Sequence, residues 1–481
     1  MRDTLGFSQK PDCRRRITVG GESMENERNI AGLISEKEKS LALFCMEAAL
    51  RHGAAQVRVP LSKSVLDTCG MLNGELDKVT HSADRSVFLN VFADDRYGTF
   101  STNMLDEKEL ESFAAQAVES VRTLARDSCR RLPDPERTAK NATSGKEAGL
   151  YDSRYEDMVS EQRYEIARGE CIYGKYGQGS DGIRLVSEEC EYSDSVDDNF
   201  TADSLGFSGR HTETSFAVCS EVTIEDRAGR KYSGYWWDSS PFAGNLATGQ
   251  CSDAALKRAA AQVNPASHPG GRFCMVVDRS VSSRLVSPLI SALNAASIQQ
   301  ESSFLKDSLE KKIFSDRLTM IDLPGSTGKP GARLFDSEGV ATCDMDIIRD
   351  GVVRTWYTNT YMSLKMGIKP TVEGVSRPVL MPYGEDSLLA GAGEIMSKCG
   401  SGIYVTGFNG GNCNQTTGNF SYGIEGFAFN DGKITHPVRE MVITGNMITL
   451  WNSLLYAGND ARACTRWQIP SLCFENVDFS A

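Results

Sequence analysis

Residues 401–427 read SGIYVTGFNGGNCNQTTGNFSYGIEGF, and the organisation of the C-terminal half of the chain can be worked out from them. Residues 403–406 form a short apolar run that predicts a strand. Phe420, Tyr422 and Ile424 fall on alternate positions, which is the pattern of a second strand with one buried face. The segment between the two runs is polar and rich in glycine, and we predict that it forms a long hairpin loop.

A recognition surface is the alternative interpretation of this glycine-rich segment. Glycine lets a backbone adopt positive φ or approach another chain closely. The asparagine and threonine side chains between the glycines offer hydrogen bonds without charge. Loops that carry such groups often bind ligands, so both interpretations stay open on the pattern alone.

The composition of the chain excludes several classes of protein. Its 481 residues are enough for about three domains of ~150 residues each. The formal net charge of −12 argues against direct binding to nucleic acid, because an acidic chain does not attract phosphate. The sequence has no run of about 18 apolar residues, so we expect no transmembrane helix and no membrane partner.

The N-terminus and the cysteines both predict a cytoplasmic location. The arginines at 14–16 are not followed by an apolar segment, so neither a Sec nor a Tat signal is predicted. The 14 cysteines form no CxxC pair and have no regular spacing. That distribution is typical of reduced thiols in a cytosolic protein.

The succession of helical and strand patterns predicts an α+β protein made of consecutive units. We expect a flexible leader (1–28), an N-terminal α+β domain (29–131) and a linker rich in proline, glycine and charge (132–149). A central region of one helix and β-hairpins (150–240) follows. The largest unit is a C-terminal β-rich domain (241–481), for which we expect a mostly antiparallel sheet that is closed or stacked.

Local signals support the N-terminal part of this division. Ser35 and Glu38 form an S-x-x-E capping box at the start of an amphipathic helix. Residues 86–92 and 99–102 flank a turn and predict a hairpin. Asp106 is placed to cap a second helix.

The central region contains an acidic run, SEECEYSDSVDD, at 187–198. Its spacing does not match an EF-hand, which alternates oxygen ligands around a central glycine. We therefore predict a solvated edge or loop rather than a cation site. The segments 216–224 and 231–237 flank a turn and predict a long hairpin.

Helix and turn signals also divide the C-terminal region. We expect a strand at 273–277, a helix at 281–297 and a final helix at 447–457. Asp350 followed by glycine, and the turn at 430–432, are hairpin signals. Several hairpins with few helices favour an antiparallel sheet.

Four further segments resemble motifs of a single family. They are SSFLKDSLEKKIFSDRLTMIDLP (302–324), RLFDSEGVAT (333–342), DGVVRTWYTNTYMSLKMG (350–367) and TGNMITLWNSLLYAGND (444–460). Together with 401–427 they follow the order found in the TldD/PmbA family. Its members form a two-subunit bacterial peptidase that is also described as a modulator of DNA gyrase. The resemblance spans most of the chain, from about residue 30 to residue 479.

The resemblance implies a specific expectation about zinc. Members of the TldD branch carry HExxxH on a helix just before the segment that corresponds to 302–324. There two imidazoles hold Zn²⁺ and the glutamate acts as general base. The matching helix here reads LVSPLISALNAASIQQ (285–300) and has no histidine. The resemblance therefore places the chain in the PmbA (TldE) branch, with no metal ligand or catalytic residue of its own and with zinc in a TldD-like partner.

Other candidate catalytic groups have little support from the sequence. No two of the five histidines lie within five residues of each other; they are His52, His81, His211, His268 and His436. Cys464 lies near the third, thiolate zinc ligand of the TldD branch, and its contribution to any metal site stays open. Cys413 has no nearby histidine to activate it. The carboxylates of Asp336 and Glu338 could act as acid and base but are expected to be structural.

We expect the chain to be the TldE/PmbA-like subunit of a cytoplasmic TldD/TldE-type metallopeptidase complex. A TldD-like subunit would hydrolyse the peptide, and this chain would hold an extended or unfolded peptide by β-augmentation, through backbone hydrogen bonds. The candidate substrate-binding residues are Gly410, Gly411, Asn412, Thr417, Phe420 and Ser421. The alternative is a homo-oligomeric peptide-binding or regulatory protein that has no enzymatic partner. Direct action on DNA is disfavoured by the net negative charge.

Overall fold

The computed structural model describes residues 33–174 and 182–481. The predicted leader, 1–28, lies outside the described residues. No helix among the described residues has both the length and the apolar character needed to cross a membrane.

The N-terminal and central segments share one antiparallel sheet of six strands, in the order β3-β2-β1-β4-β5-β6. The strands are β1 (Gln56–Leu72), β2 (Glu75–Ala93), β3 (Arg96–Thr102), β4 (Arg184–Asp203), β5 (Ser208–Glu225) and β6 (Lys231–Ser240). The two predicted hairpins are confirmed as β2–β3 and β5–β6. β1 pairs with β4 over most of its length, so this sheet contains strands from both 29–131 and 150–240. The division of the chain into separate domains at these bounds stays a prediction.

The acidic run at 187–198 lies inside β4, between β1 and β5, so the prediction of a solvated edge or loop is wrong. Three of its carboxylates are buried, and each has partners. Asp194 accepts hydrogen bonds from Arg163 at 2.7 and 2.8 Å, and Glu188 accepts the backbone N–H of Ile172 at 2.8 Å. Buried carboxylates are tolerated when they are paired in this way.

Four helices pack against this sheet: α1 (Glu36–Arg51), α2 (Glu107–Val121), α3 (Ser160–Glu170) and α4 (Cys251–Ala261). The predicted capping box is confirmed at the start of α1, where the Ser35 hydroxyl accepts the Glu38 N–H at 3.3 Å and the Glu38 carboxylate accepts the Ser35 N–H at 2.8 Å. Asp106 caps α2 as predicted. The local signals therefore placed both helix starts correctly.

The predicted linker, 132–149, contains no α-helix and no named strand. Its apolar side chains are nevertheless buried, among them Leu132, Ala142 and Ala148. The Ala139 N–H donates to the carbonyl of Gly339 at 3.0 Å. The segment is therefore packed onto the rest of the protein.

The C-terminal region forms two further sheets. Its strands are β7 (Gly271–Val277), β8 (Thr319–Asp322), β9 (Met345–Arg349), β10 (Val352–Val353), β11 (Pro378–Met381), β12 (Gly402–Cys413), β13 (Asn419–Asn430), β14 (Lys433–Asn446), β15 (Leu454–Ala457) and β16 (Leu472–Ser480). The smaller sheet has the order β10-β9-β8-β11 and the larger one β14-β13-β12-β7-β16-β15. An additional pairing of β14 with β16 closes the larger sheet into a barrel-like form. The predicted α+β class with a mostly antiparallel C-terminal domain is confirmed.

The helices of this region are α5 (Ser283–Ala292), α6 (Ala295–Gln299), α7 (Thr360–Met366), α8 (Ala392–Cys399) and α9 (Met447–Asn452). The helix predicted at 281–297 is divided in two, because the Asn294 side chain accepts the Ala296 N–H at 2.9 Å and starts a new helix. The helix predicted to reach residue 457 ends at Asn452, and the next residues pair with β16 as β15. Leu285, Leu289 and Trp451 are buried in the main C-terminal core.

Candidate peptide-binding cleft

The glycine-rich segment is part of β12 rather than a long loop. β12 pairs with β13 from Gly402 to Cys413, so only residues 414–418 connect the two strands. The register shifts after Val405 and again after Asn409, and each shift places an extra residue in β12. The predicted long hairpin loop is therefore wrong, because the irregular segment is absorbed into the strand as β-bulges.

Two glycines form the second bulge. Gly410 and Gly411 have φ angles of 65° and 77°. A Cβ at Gly411 would lie 2.0 Å from the carbonyl oxygen of Ser421, whereas a Cβ at Gly410 would meet no atom within 4 Å. Position 411 therefore needs glycine for both conformation and space, while position 410 needs it for conformation alone.

One edge of β12 is open beyond residue 405. β7 pairs with β12 only through Gly402–Val405. The chain of β7 then leaves the sheet at Asp278, whose N–H donates to the Val405 carbonyl at 2.9 Å. Across 33–174 and 182–481, no strand pairs with 406–413 on this side. An unpaired strand edge is a template on which another extended chain can pair.

The orientation of the backbone along this edge follows from its neighbours. A Cβ at Gly423 would lie 2.4 Å from the Asn409 carbonyl oxygen, so that carbonyl points toward β13. Backbone groups of successive strand residues point to alternate sides, which turns the N–H and C=O of Phe408 toward the open edge. The Thr406 carbonyl, two residues earlier, accepts a hydrogen bond from Arg258 of α4 at 3.2 Å.

Two adjoining cavities run along the open edge. The first has a volume of about 490 Å³ and lies between β6 and α4 on one side and the residues around Thr406 on the other. The second, of about 500 Å³, is bounded by Arg284, Phe408 and Trp467. Ser280 and Val281 line both cavities. The two cavities, together called the cleft below, therefore adjoin at Ser280 and Val281, and Thr406 and Phe408 of β12 line them.

Arginines stacked on tryptophans form one end of the cleft. The Arg462 guanidinium lies 4.4 Å from the ring centre of Trp236 and 4.3 Å from that of Trp237, and Arg258 lies 5.0 Å from Trp236. Cation–π contacts of this kind hold the guanidinium groups against the faces of the indole rings. The adjacent tryptophans of β6 could have indicated this aromatic surface from the sequence. Neighbouring strand residues point to opposite faces of a sheet, so the two rings cannot both lie on the same buried face.

Tyr404 lies on the same wall and keeps its proton. Burial and the nearby Asp278 carboxylate raise the pKa of Tyr404, and its hydroxyl donates a hydrogen bond to that carboxylate. The tyrosine therefore stays neutral at physiological pH. This wall of the cleft offers aromatic surface and fixed hydrogen-bonding groups.

The six residues predicted to contact substrate lie in different environments. Gly410, Gly411 and Asn412 are exposed on β12, and Ser421 is exposed on β13. Thr417 is exposed in the 414–418 turn. Phe420 is 5% exposed, stacks on Tyr422 at 5.5 Å and belongs to the main C-terminal core. The side chain of Phe420 thus faces the barrel interior, whereas the other five residues reach the surface.

Comparison with known proteins identifies the family. Residues 270–481 match the PmbA/TldA metallopeptidase C-terminal domain, and residues 67–121 match domain 1 of these proteins. A crystal structure from Bacteroides thetaiotaomicron, described as a modulator of DNA gyrase, is 38% identical and superposes with a TM-score of 0.87. It covers 93% of this chain and 100% of its own. The chain belongs to the PmbA/TldD metallopeptidase family.

Two other members extend the comparison. Metalloprotease PmbA of Escherichia coli O157:H7 is 25% identical over 421 residues, which are 86% of this chain and 90% of that protein. TldE from Thermococcus kodakarensis has a TM-score of 0.74 over 91% of this chain and 99% of its own, at 16% identity, and so shares the fold. The resemblance inferred from the sequence motifs is confirmed.

The segment 285–300, which the resemblance aligns with the HExxxH helix of the TldD branch, forms α5 and α6. Leu285, Val286 and Leu289 are buried in the core, and the remaining side chains of 285–300 offer no imidazole, carboxylate or thiol. The donor set that zinc prefers is therefore missing from this helix pair. A zinc ion of the kind that the resemblance implies for the TldD branch does not fit these residues.

The histidines and the two candidate cysteines do not replace that site. Among the described residues, the groups of three or more His, Cys, Asp or Glu side chains close enough to share a metal contain no histidine and do not include Cys464. Burial raises the pKa of Cys464 and of Cys413. Neither thiol is therefore activated as a nucleophile.

The carboxylate pair of the 333–342 motif has a structural role. Asp336 accepts the backbone N–H of Glu338 at 2.9 Å and that of Val340 at 3.0 Å. Glu338 accepts the N–H and the hydroxyl of Thr360 at 2.8 and 2.7 Å. Both carboxylates thus hold loops together and are buried.

Proposed function

We propose that this chain is the TldE/PmbA-type subunit of a cytoplasmic two-subunit metallopeptidase and that it holds an extended peptide along residues 406–413 of β12. A TldD-like partner would carry the zinc and hydrolyse the peptide. The observation that carries the proposal is the open edge of β12 beside two adjoining cavities. Family membership supports the peptidase context.

The bound peptide would add a strand beside β12. The Phe408 N–H and C=O face the open side and would pair with the peptide backbone, as in other examples of β-augmentation. Gly410 and Gly411 bend the edge, and Asn412 supplies an exposed amide side chain. This binding mode reads the backbone more than the side chains, which suits a subunit that accepts many unfolded sequences.

The remaining candidate residues would act at the margins of this strand. Thr417 lies at the turn that ends β12, and Ser421 is exposed on the neighbouring strand. Phe420 would support the site without touching the peptide. Its buried ring packs beside Gly445 and Tyr422 and stabilises the pair of strands, β12 and β13, to which the open edge belongs. The tryptophan–arginine end of the cleft would receive one side chain of the peptide.

Backbone pairing can be tested with the peptide rather than the protein. We would measure binding of a fluorescent, unstructured peptide to the purified chain by anisotropy. A peptide N-methylated at every second residue keeps one free hydrogen-bonding edge and should bind with nearly unchanged Kd. The same peptide N-methylated at every residue should bind at least tenfold more weakly. Equal binding of both peptides would contradict the proposal.

The division of labour can be tested by cleavage. The purified chain alone should leave the peptide intact, and the chain co-expressed with a TldD-like subunit should cleave it in a reaction that a chelator stops. Chelator-sensitive cleavage by this chain alone would refute the assignment. Peptide binding without assembly with any TldD-like subunit would instead favour the homo-oligomeric peptide-binding alternative.

A further inference from the structure

Three cysteines from distant parts of the chain meet on the outer side of the C-terminal barrel. Cys274 lies on β7, Cys473 on the adjacent strand β16, and Cys399 at the end of α8. Their Sγ atoms all lie within 4.8 Å of one another, and those of Cys399 and Cys473 are 3.1 Å apart. The sequence gives no hint of this group, because its members lie far apart along the chain.

The surroundings of the three thiols leave one side accessible. Cys473 is fully buried, among apolar side chains that include Ile395 and Phe429. Cys274 and Cys399 are partly exposed. An ion could therefore reach the sulfur atoms from solvent, and a water molecule could complete its coordination.

The spacing of the sulfur atoms suits a small thiophilic cation. With Zn–S bonds of about 2.3 Å, two sulfurs of a tetrahedral site lie about 3.8 Å apart. The three Sγ atoms lie within 4.8 Å of one another, and the 3.1 Å pair would open by about 0.7 Å around the ion. Thiolates select Zn²⁺ and Cu⁺ over harder ions. All three ligand atoms of the group are sulfur, and the group contains no carboxylate or imidazole that would favour a harder ion.

A second group offers an instructive contrast. Cys171, Glu188 and Cys190 also lie close together, but all three are buried. The Glu188 carboxylate already accepts backbone N–H groups of Ile172 and Tyr173 at 2.8 and 2.7 Å. Its oxygens are therefore committed to the fold, and the group has no route from solvent comparable to that of the three barrel cysteines.

We propose that Cys274, Cys399 and Cys473 form a thiolate site for one thiophilic d¹⁰ cation, Zn²⁺ or Cu⁺, with a fourth ligand from solvent in the zinc form. The ion would tie the end of α8 to two strands of the barrel. The site would be structural, because the main peptide-binding surface proposed above lies on the open part of β12 and the three cysteines lie where α8 covers the sheet. The site is also distinct from α5 and α6, where the resemblance places the zinc ligands of the TldD branch.

The test uses metal content and cobalt absorption of the full-length chain. The reduced protein would be incubated with Zn²⁺, Cu⁺ or Co²⁺, desalted and analysed by mass spectrometry for bound metal. We expect one ion per chain, with Co²⁺ producing sulfur-to-metal charge-transfer absorption. Cys399→Ser and Cys274→Ser should each lose the ion and the absorption, and Cys464→Ser, a partly exposed thiol outside the group, should retain both.

Several outcomes would overturn the proposal. These are no retained metal in the reduced wild-type chain, the same metal content in Cys399→Ser as in wild type, or loss of the ion in Cys464→Ser. Recovery of a Cys399–Cys473 disulfide in place of metal would also overturn it. Circular dichroism would confirm that each variant is folded, and unchanged peptide binding by Cys399→Ser would separate this result from the test of the proposed function.

Discussion

Replacing Gly411 by alanine should disrupt the end of β12, whereas replacing Gly410 should not. Both residues have positive φ, so an alanine at either position carries the left-handed cost of about 1–2 kcal/mol. Only at position 411 would the new Cβ meet backbone, at 2.0 Å from the Ser421 carbonyl oxygen, where ordinary contacts begin at 3.4 Å. The strands would have to separate by more than about 1 Å, which a hydrogen-bonded pair cannot accommodate.

The difference in the free energy of local opening between the two variants can be estimated from the strand pairing that follows the bulge. Separation at 411 breaks the Asn412–Ser421 and Cys413–Phe420 pairs. At about 1 kcal/mol for each lost hydrogen bond, the local free energy of opening should fall by about 2 kcal/mol more in Gly411→Ala than in Gly410→Ala. Since 1.4 kcal/mol corresponds to a tenfold change, exchange of the amide within 412–413 that faces β13 should be about 30-fold faster.

Hydrogen exchange followed by mass spectrometry measures this difference, and peptide anisotropy measures its consequence. Gly411→Ala should bind the unstructured peptide at least tenfold more weakly, and Gly410→Ala should bind nearly as wild type. Both variants should unfold close to the wild-type midpoint, because the change is confined to the strand end. If the two variants exchange and bind alike, the steric reasoning at Gly411 is refuted. If exchange differs but binding does not, the peptide does not use this edge.

Three further predictions concern other parts of the fold. Asp194→Asn should lower the free energy of unfolding by about 3–5 kcal/mol, because it breaks a buried ion pair. Glu191→Gln, at a partly exposed pair, should lower it by less than about 1 kcal/mol. Urea denaturation measures both values, and equal losses would contradict the burial argument. Gly234→Ala should lower the urea midpoint, because its Cβ would lie 2.1 Å from a carbonyl oxygen of α4. Gly169→Ala, whose Cβ would meet no atom within 4 Å, should stabilise α3 by up to about 1 kcal/mol. An unchanged midpoint in Gly234→Ala would show that α4 can shift. Burial alone would raise the pKa of Glu147, but hydrogen bonds from the Ser144 backbone and neighbouring groups lower it to about 2 from 4.5. Its contribution to stability should be complete above pH 4.5 and be lost as the pH falls toward 2, so the difference between wild type and Glu147→Gln should shrink over that window; a constant difference would contradict the assignment.

Features that depend on neighbouring residues could be predicted from the sequence. The capping box at Ser35 and the cap at Asp106 are local, because donor and acceptor lie within three residues of each other. The turn at Asp350 was also predictable, since its φ of 49° and that of the following glycine, 75°, are what a tight hairpin needs. The family itself followed from several short motifs in a fixed order.

Features that depend on distant partners could not be predicted in the same way. The acidic run of β4 has the composition of a solvated segment, and only Arg163, on a helix about 30 residues earlier, explains how Asp194 can be buried. The glycines of β12 have the composition of a loop, but pairing with β13 makes them bulges. The residues after Asn452 continue a helical pattern, yet pairing with β16 extends them. In each case tertiary pairing overrides local preference.

For the candidate site, the sequence pointed to the segment that forms β12 and gave no sign of the cleft beside it. Five of the six predicted residues reach the surface near the end of β12, because glycine and small polar residues rarely occupy a core. Phe420, the sixth candidate contact, is buried, and alternation alone does not reveal which face of a strand is inward. The arginines at 258 and 462 come from separate elements, and no local pattern joins them to the tryptophans of β6.

The buried ion pairs of β4 also bear on how the long strands of the first sheet find their alignment. A shift of one residue would turn Asp194 and Asp198 outward and bring Glu191 and Asp197 into the apolar layer, where Arg163 and Arg210 could no longer meet the same carboxylates. Strands of this length can otherwise pair in several alignments with similar hydrophobic gain. Misaligned intermediates are thus penalised by uncompensated charge, and correct docking of α3 becomes a condition for completing the sheet.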